Sequence, residues 1–380
     1  MIKRVLLPTI SQNLFRGKAI ILYGPRQVGK TTLLESLFRD LSHKKKFLNC
    51  DEPDIRKDLT EVTSTQLRNL IGDAEVVVID EAQRVKNIGL TLKLITDQLK
   101  NVQLIATGSS AMELSNEINE PLTGRKIEFL LYPFSTTEMI NHTDSTSEKR
   151  LLEARLLYGF YPDVINNPGD ERRLLNNLLN SYLYKDIFNF QDIRKPELIE
   201  NLLEALALQV GSQVSYQELG RLLQIDQMTV RRYIDLLEKS FIIFRLRAFN
   251  RNVRNEIKKS RKIYFYDNGI RNAILSNFKS IGLRTDQGAL WENFLISERR
   301  KLLNNSSVSP NKYFWRTTQQ QEIDYLEDDD GQLSAYEFKW GVGRKKKIPK
   351  TFTAAYPGST SSIIDQENFT PFIERIYTAS

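Results

Sequence analysis

The chain has 380 residues, is 41% hydrophobic and 27% charged, and carries a net charge of +7. That length exceeds what one core usually serves and predicts two or three domains. No run of 18 apolar residues occurs, which excludes a transmembrane helix. The single cysteine, Cys50, excludes an internal disulfide and fits a reducing, cytoplasmic setting. With only two histidines, His43 and His142, acid–base and metal chemistry falls to carboxylates. The opening Met-Ile-Lys-Arg-Val-Leu-Leu-Pro has only a short apolar run, broken by Pro8, and makes a poor signal peptide.

Lys18-Ala-Ile-Ile-Leu-Tyr23 reads as a buried parallel strand. It leads into Gly24-Pro-Arg-Gln-Val-Gly-Lys-Thr31, a full match to the phosphate-binding pattern G-x-x-x-x-G-K-[ST], and then into a helical run from Thr32. Strand, glycine loop and helix stand in the order that aims backbone N–H groups at phosphate oxygens. The expected ATP-binding residues are therefore Gly24, Pro25, Arg26, Gln27, Val28, Gly29, Lys30, Thr31 and Thr32. Lys30 is assigned to the β and γ phosphates and Thr31 to Mg²⁺.

Ala74 to Gln83 is an apolar strand ending in two carboxylates, Asp80 and Glu81. Asp80 is expected to hold the Mg²⁺ shell, and Glu81 to orient or deprotonate the attacking water. The strand Val102 to Ser110 ends in Thr107, Ser109 and Ser110, candidates to sense the γ-phosphate. Arg125 is a candidate arginine finger, to be weighed against an ordinary surface arginine.

These motifs, Gly24 to Thr32 with Val78-Ile-Asp-Glu-Ala-Gln83 and Ala106-Thr-Gly-Ser-Ser110, resemble those of the prokaryotic AAA-type ATPases that carry a C-terminal domain of unknown function, number 4143. Tyr132-Pro-Phe-Ser135, Gly159-Phe-Tyr-Pro162, Tyr233-Ile-Asp-Leu-Leu-Glu238 and Lys262 to Gly269 resemble further signatures of that family. The resemblance implies an AAA core followed by a helical lid, and it makes Asp267 a recurrent position whose default role is a turn or cap. Arg172 and Arg173 are the candidate lid arginines for contact with nucleotide.

Val214 to Ile243 reads as two helices joined by the turn Gln224-Ile-Asp-Gln227 and followed by a strand over Phe241 to Leu246. Ser215 and Glu218 have capping-box spacing. Thr229 to Lys239 forms the second helix, with Val230, Tyr233, Ile234 and Leu237 on one face. This is the layout of a winged helix. If it meets DNA, Thr229, Arg231 and Arg232 face the nucleic acid; winged helices also serve as interdomain adaptors. From Ser240 to Lys262 eight basic residues face one acidic residue, Glu256, and two more basic runs lie at Lys44–Lys46 and Arg344–Lys347. Such runs serve either as solvated faces or as a polyanion surface.

Gly288 to Arg300 reads as a helix containing Glu292. Two strands follow, over Tyr313 to Thr318 and Gln321 to Leu326. The turn Asp328-Asp-Asp-Gly331 then returns the chain along Gly331 to Trp340. This hairpin brings Asp324 towards Glu337 and Lys339, which share a face because strand side chains alternate. An acidic residue on a helix, an Asp on a strand and Glu-x-Lys on the next resemble the PD-(D/E)xK nuclease core. That resemblance implies Mg²⁺ at Asp324 and Glu337 with Glu292 in support, and Lys339 at the attacking water. The alternatives are a nuclease-like binding platform or an ordinary ion pair.

The expected fold class is α/β. Residues 1–145 form a P-loop AAA-type core with a parallel sheet, 146–205 a helical lid, 206–255 a winged helix, and 256–380 a restriction-endonuclease-like domain. The expected activity is ATP hydrolysis with ATP and Mg²⁺ as ligands, coupled to a module that binds or cuts nucleic acid. The alternative is a nucleotide-dependent regulatory switch whose C-terminal domains bind a protein partner. No membrane association is expected, and the oligomeric state is open.

Overall fold

A computed structural model describes residues 1–39, 41–109, 114, 117–180, 196–249, 261–341 and 348–374. Ser110, Arg251, Arg254, Lys258, Lys259 and the run Arg344–Lys347 lie outside the described residues. The chain divides into two compact units, Met1–Phe134 with Lys239–Phe241, and Ser135–Glu238 with Ile242–Ser380. Among the described residues no helix is long and apolar enough to cross a membrane.

The first unit is built on a five-stranded sheet of order β2-β3-β4-β1-β5, with every pairing parallel. Its strands are β1 (Ala19–Tyr23), β2 (Lys45–Asn49), β3 (Val76–Asp80), β4 (Gln103–Gly108) and β5 (Lys126–Leu130). All residues of β1, β3 and β4 are buried. Their mostly apolar, wholly buried runs are what a parallel sheet covered on both faces requires. Helix α1 (Lys30–Arg39) opens directly from the glycine loop and buries Leu33, Leu34 and Leu37. Because all strands run one way, their C-terminal ends share one edge, and the residues after β1, β3 and β4 gather there.

The second unit contains a seven-stranded mixed sheet of order β12-β11-β10-β9-β7-β8-β6. The strands are β6 (Gln213–Val214), β7 (Ile243–Ala248), β8 (Arg261–Phe265), β9 (Asn311–Arg316), β10 (Glu322–Asp329), β11 (Gln332–Phe338) and β12 (Thr360–Ile364). Four helices carry the candidate residues of this unit: α2 (Tyr216–Leu223), α3 (Gln227–Lys239), α4 (Asn268–Ile274) and α5 (Gln287–Asn305). The expected β10–β11 hairpin forms at the acidic turn, where Gly331 takes φ +92° and its amide donates to Asp328 Oδ1 at 2.9 Å. The turn between α2 and α3 is also where expected: Gln224 is left-handed, and the Asp226 side chain accepts from the amides of Met228 and Thr229. That acceptor lets α3 begin two residues earlier than Thr229. Ser215 accepts from the Glu218 amide at 3.3 Å.

The sheet does not break near residue 255. β7 pairs antiparallel with β8 and parallel with β9, so strands on both sides of that position share one ladder. The helices expected as a lid are likewise anchored inside this unit. Asn272 donates to the carbonyls of Leu156 and Leu157. Arg172 donates to Phe278 O at 3.2 Å, and Arg173 pairs with Asp170.

Asp267 explains two of the recurrent motifs together. Its fully buried carboxylate caps α4 by accepting from the amides of Gly269 and Ile270, and it also accepts from the amide of Phe160 at 2.7 Å. Burial pushes its carboxyl up from the ordinary value, which these three amides and Lys301 oppose. Gly159 sits at φ +70°, and a Cβ there would stand 1.9 Å from Asp267 Oδ1. The Gly159-Phe-Tyr-Pro turn is therefore docked against the Asp267 cap with no room for a side chain. Gly159→Ala is expected to destabilise this unit by about 2 kcal/mol or more, from left-handed backbone strain and the clash together. Denaturant unfolding checks this; wild-type stability in the variant would remove Asp267 as the cause of the glycine.

Candidate functional site

The glycine loop is shaped by its backbone. Gln27 and Gly29 take φ of 56° and 87°, and a Cβ on Gly24 would approach Leu131 O to 2.2 Å. Gly24 is therefore fixed by a close backbone approach and Gly29 by its dihedral. Lys30 is buried, and its ammonium donates to the carbonyls of Gly24 and Pro25 at 2.9 and 3.0 Å. It thus lies along the same loop whose amides would face a phosphate.

Asp80 ends β3 and is buried. It accepts from Thr31 Oγ1 at 3.0 Å on one oxygen and from Thr107 Oγ1 on the other. Thr107 Oγ1 also accepts from the Glu81 amide at 3.1 Å. One carboxylate thus ties the loop, β3 and β4 together. The next residue, Glu81, is left-handed at φ 52°, an unfavourable conformation for a residue with a side chain. That twist leads the chain out of the sheet into the short 3₁₀ turn Ala82–Arg84. Glu81 Oε2 then accepts from Gln83 Nε2 at 2.6 Å and from Ser109 Oγ at 3.1 Å, and Gln83 Nε2 also reaches Ser109 Oγ at 3.0 Å.

Gln83 is the member of this group to which sequence reasoning assigns no role. Its signal is its place at the end of the Val78–Gln83 motif, three residues after Asp80. Gly108 is part of the same construction, since a Cβ there would stand 2.7 Å from Leu114 Cδ2 and 3.2 Å from Gln83 Oε1. Cys50 lies beneath the site, its amide donating to Asp80 O at 3.0 Å. Burial, with Asp80 and Asp51 adding to it, pushes its thiol up to about 12. A thiol so placed is a neutral filler rather than a nucleophile.

Of the other expected residues, Thr107 and Ser109 are brought to Asp80 and Glu81. Arg125 is not: it precedes β5, at the end of β1 opposite the glycine loop, and its guanidinium pairs with Asp97 at 2.7 Å. Within its own chain it does not reach the loop.

Residues 16–140 match the family model of an AAA domain. Residues 149–281 match a domain of unknown function (DUF8612), and residues 287–376 match the domain of unknown function DUF4143. The first unit thus carries an AAA-type P-loop ATPase domain, and the C-terminal region a DUF4143 domain. Uncharacterized proteins of Mycobacterium bovis and Mycobacterium tuberculosis are each 27% identical over 331 residues, covering 86% of this chain and 71% of each relative. An uncharacterized protein of Methanocaldococcus jannaschii is 25% identical over 303 residues, covering 68% of this chain and 63% of the relative. Among solved structures, a Walker-type ATPase of Pyrococcus abyssi is similar in fold, with a TM-score of 0.51 and 17% identity, covering 72% of this chain and 96% of that one.

The second cluster of expected residues lies in the DUF4143 domain and its neighbouring strands. The hairpin places Asp324 so that its Oδ2 accepts from the Phe338 amide at 2.9 Å. Lys339 Nζ pairs with Glu337 Oε1 at 2.9 Å. Glu292 on α5 is held by two groups on β8: Lys262 Nζ at 3.0 Å and Tyr264 OH at 2.6 Å. Lys262 also pairs with Glu322 at 2.6 Å. Burial, reinforced by Glu337, pushes the Asp324 carboxyl up to about 6. Burial likewise pushes Glu292 up to about 7, with Asp324 adding to it and Lys262 opposing it. Burial works against the charge on Lys262, but Glu292, Asp324 and Glu322 outweigh it and hold the amine above its ordinary value.

This arrangement does not fit a metal centre built on Asp324, Glu337 and Glu292. Among the described residues no three His, Cys, Asp or Glu side chains are grouped to hold a metal ion. The physical reason is Lys262: its buried ammonium supplies the positive charge between the acidic residues, and Lys339 supplies a second beside Glu337. Lys262 escapes the sequence reading because nothing local to β8 marks one of its lysines as a partner for distant carboxylates.

Removing Lys262 leaves buried carboxylates without compensation, and Lys262→Met is expected to destabilise the protein by about 3–5 kcal/mol at pH 8. The deficit shrinks as pH falls from 8 towards about 6 and levels off below it, because Lys262 holds both carboxyls down and they rise further without it. Protonation of Asp324 and Glu292, whose folded-state values are raised, then removes the uncompensated charge. Denaturant unfolding at several pH values measures both; a pH-independent deficit would contradict the account.

Proposed function

We propose that this protein binds ATP with Mg²⁺ and hydrolyses it at the AAA domain, and that its second unit is a binding module driven by that cycle. The observation carrying the first half is the hydrogen-bonded set Thr31–Asp80–Thr107–Glu81–Gln83–Ser109. A hydroxyl on the loop and a carboxylate on β3 stand 3.0 Å apart, a donor pair suited to Mg²⁺, which takes few protein ligands besides substrate phosphates. When bound, the ion neutralises charge on the β and γ phosphates.

The chain's own residues do the rest. The loop amides from Gly24 to Thr32 cradle the phosphates, with Arg26, Gln27 and Val28 lending backbone. Lys30 turns from its two carbonyls to the phosphate oxygens. Glu81 orients the attacking water and accepts its proton, held in place by Gln83 and Ser109. Thr107, shared between Asp80 and the Glu81 amide, links the phosphate side to the water side. An arginine from a second copy of this chain would complete the site, and Arg125 is the residue proposed for it, since its place at the far end of β1 excludes a role within its own chain.

Lys30→Ala is expected to abolish nucleotide binding and turnover. Glu81→Gln is expected to keep binding while lowering turnover at least about 100-fold, the usual weight of a positioned base. Calorimetry with ADP and steady-state phosphate release check both. Unchanged binding in Lys30→Ala would refute the reading.

For the second unit, α2, α3 and the β6–β8–β7 strands support a winged helix, and α5 with β9 to β12 supports a nuclease-like fold kept as a binding platform. Arg231 and Arg232 are exposed on α3, and Thr229 stands at its start. We read this face as one that meets nucleic acid through phosphate contacts, without cleavage; the pairing of Lys262 with Glu292 and Glu322, and of Lys339 with Glu337, supports that reading. The alternative, a protein partner, predicts no DNA binding at all. DNA affinity that falls steeply with salt, and falls at least about tenfold in the Arg231→Ala, Arg232→Ala double variant, supports the nucleic-acid reading. Salt-independent or absent binding turns it to a protein partner.

A further inference from the structure

A cavity of about 260 Å³ opens in the second unit where β7, β9 and α5 meet. Four cationic side chains line it, Arg245, Arg247, Arg300 and Lys312, and no Asp or Glu does. Such lining is unusual, because cations collected without acids repel one another. The neighbouring acids are already taken. Arg245 is neutralised by Glu238 and by Asp235, the latter at 2.6 Å. Glu327, which stands opposite Lys312 across the β9–β10 ladder, accepts from Arg299 Nε and Nη2 at 2.8 Å each and from the Tyr325 hydroxyl at 3.0 Å.

Lys312 is therefore left, among the described residues, without an ion-paired carboxylate. Burial and the charge of Arg300 lower its amine below the ordinary value, and Glu327 only partly opposes them. The Arg300 guanidinium is held in place over the rings of Phe244 and Tyr266, at 4.8 and 5.4 Å. The fold thus keeps a half-buried ammonium beside a fixed guanidinium at a cost in stability, the pattern of a site kept for an anionic ligand rather than for packing.

We propose that this cavity binds a phosphate-bearing anion, with Lys312, Arg247 and Arg300 as the groups that contact the phosphate oxygens. Arg300 contributes a planar cation and Lys312 a point charge. The volume is several times that of a water molecule and admits a phosphate with part of the group that carries it. The source is either a free phosphate ester or a phosphate on a nucleic-acid strand, and the two share this recognition chemistry. The site also stands in a definite relation to the acidic cluster. Glu292, Ile296 and Arg300 fall at four-residue intervals on α5, so they share one stripe of the helix, with Arg300 about 12 Å beyond Glu292.

The test uses the full chain carrying Lys30→Ala, which silences phosphate binding at the glycine loop. It compares that protein with the same chain also carrying Lys312→Met and Arg247→Ala. Pyrophosphate and a 20-nucleotide single-stranded DNA are titrated by calorimetry at fixed salt. The expected result is loss of affinity by at least about tenfold in the variant, the weight of charge-assisted hydrogen bonds. An effect seen with pyrophosphate assigns a free ester, and one seen only with the oligonucleotide assigns a strand phosphate.

Lys312→Met alone is expected to leave the melting temperature unchanged or raised, because it relieves repulsion, and Lys312→Arg to retain binding. Absence of binding by both probes, equal affinity in both proteins for each probe, or a lowered melting temperature in Lys312→Met would overturn the proposal.

Discussion

Everything proposed for the AAA domain depends on one buried carboxylate. Asp80 accepts from Thr31 on the loop and from Thr107 on β4, and Thr107 passes the link on to the Glu81 amide. A buried carboxylate is tolerated only where its oxygens are satisfied. Here the donors that satisfy it are the groups that a nucleotide site needs at those positions. The parallel order β2-β3-β4-β1-β5 makes this possible, since it sets β4 between β3 and β1 and gathers three strand ends. Stability and chemistry are therefore served by the same hydrogen bonds.

The second unit solves a comparable problem in another way. Its sheet and α5 bury Asp324 and Glu337 and largely cover Glu292, three carboxylates that water or a metal could otherwise stabilise. Lys262 and Lys339 meet them from within the chain. These acidic residues can thus persist as a structural polar cluster. Beyond it on α5 the balance reverses, and the cavity at Lys312 holds cations in excess. That contrast is the ground for reading the first as a structural cluster and proposing the second as a binding site.

How much of the molecule is legible in its sequence depends on how far apart the partners lie along the chain. The glycine loop and Asp80–Glu81 are readable because each is a contiguous motif at the end of an apolar strand. The hairpin carrying Asp324 and Glu337 is readable because its turn is local. Lys262 is not, because its partners Glu292 and Glu322 lie 30 and 60 positions away and only the sheet register brings them near. Arg125 can be read as an arginine but not placed, since sequence does not say which end of a strand faces the site. Asp267 and Gly159 each stand out singly, but the contact that explains both spans 108 positions. The continuous ladder through β8, β7 and β9 is hidden for the same reason: parallel pairing between β7 and β9 has no local signature.

The most direct test of the central claim is ATP turnover by Thr107→Val, which removes one hydroxyl and keeps the shape of the side chain. The account predicts near wild-type ADP affinity with turnover lowered at least about tenfold, because Asp80 and the Glu81 amide lose their shared partner while the loop is untouched. Wild-type turnover in this variant would contradict it.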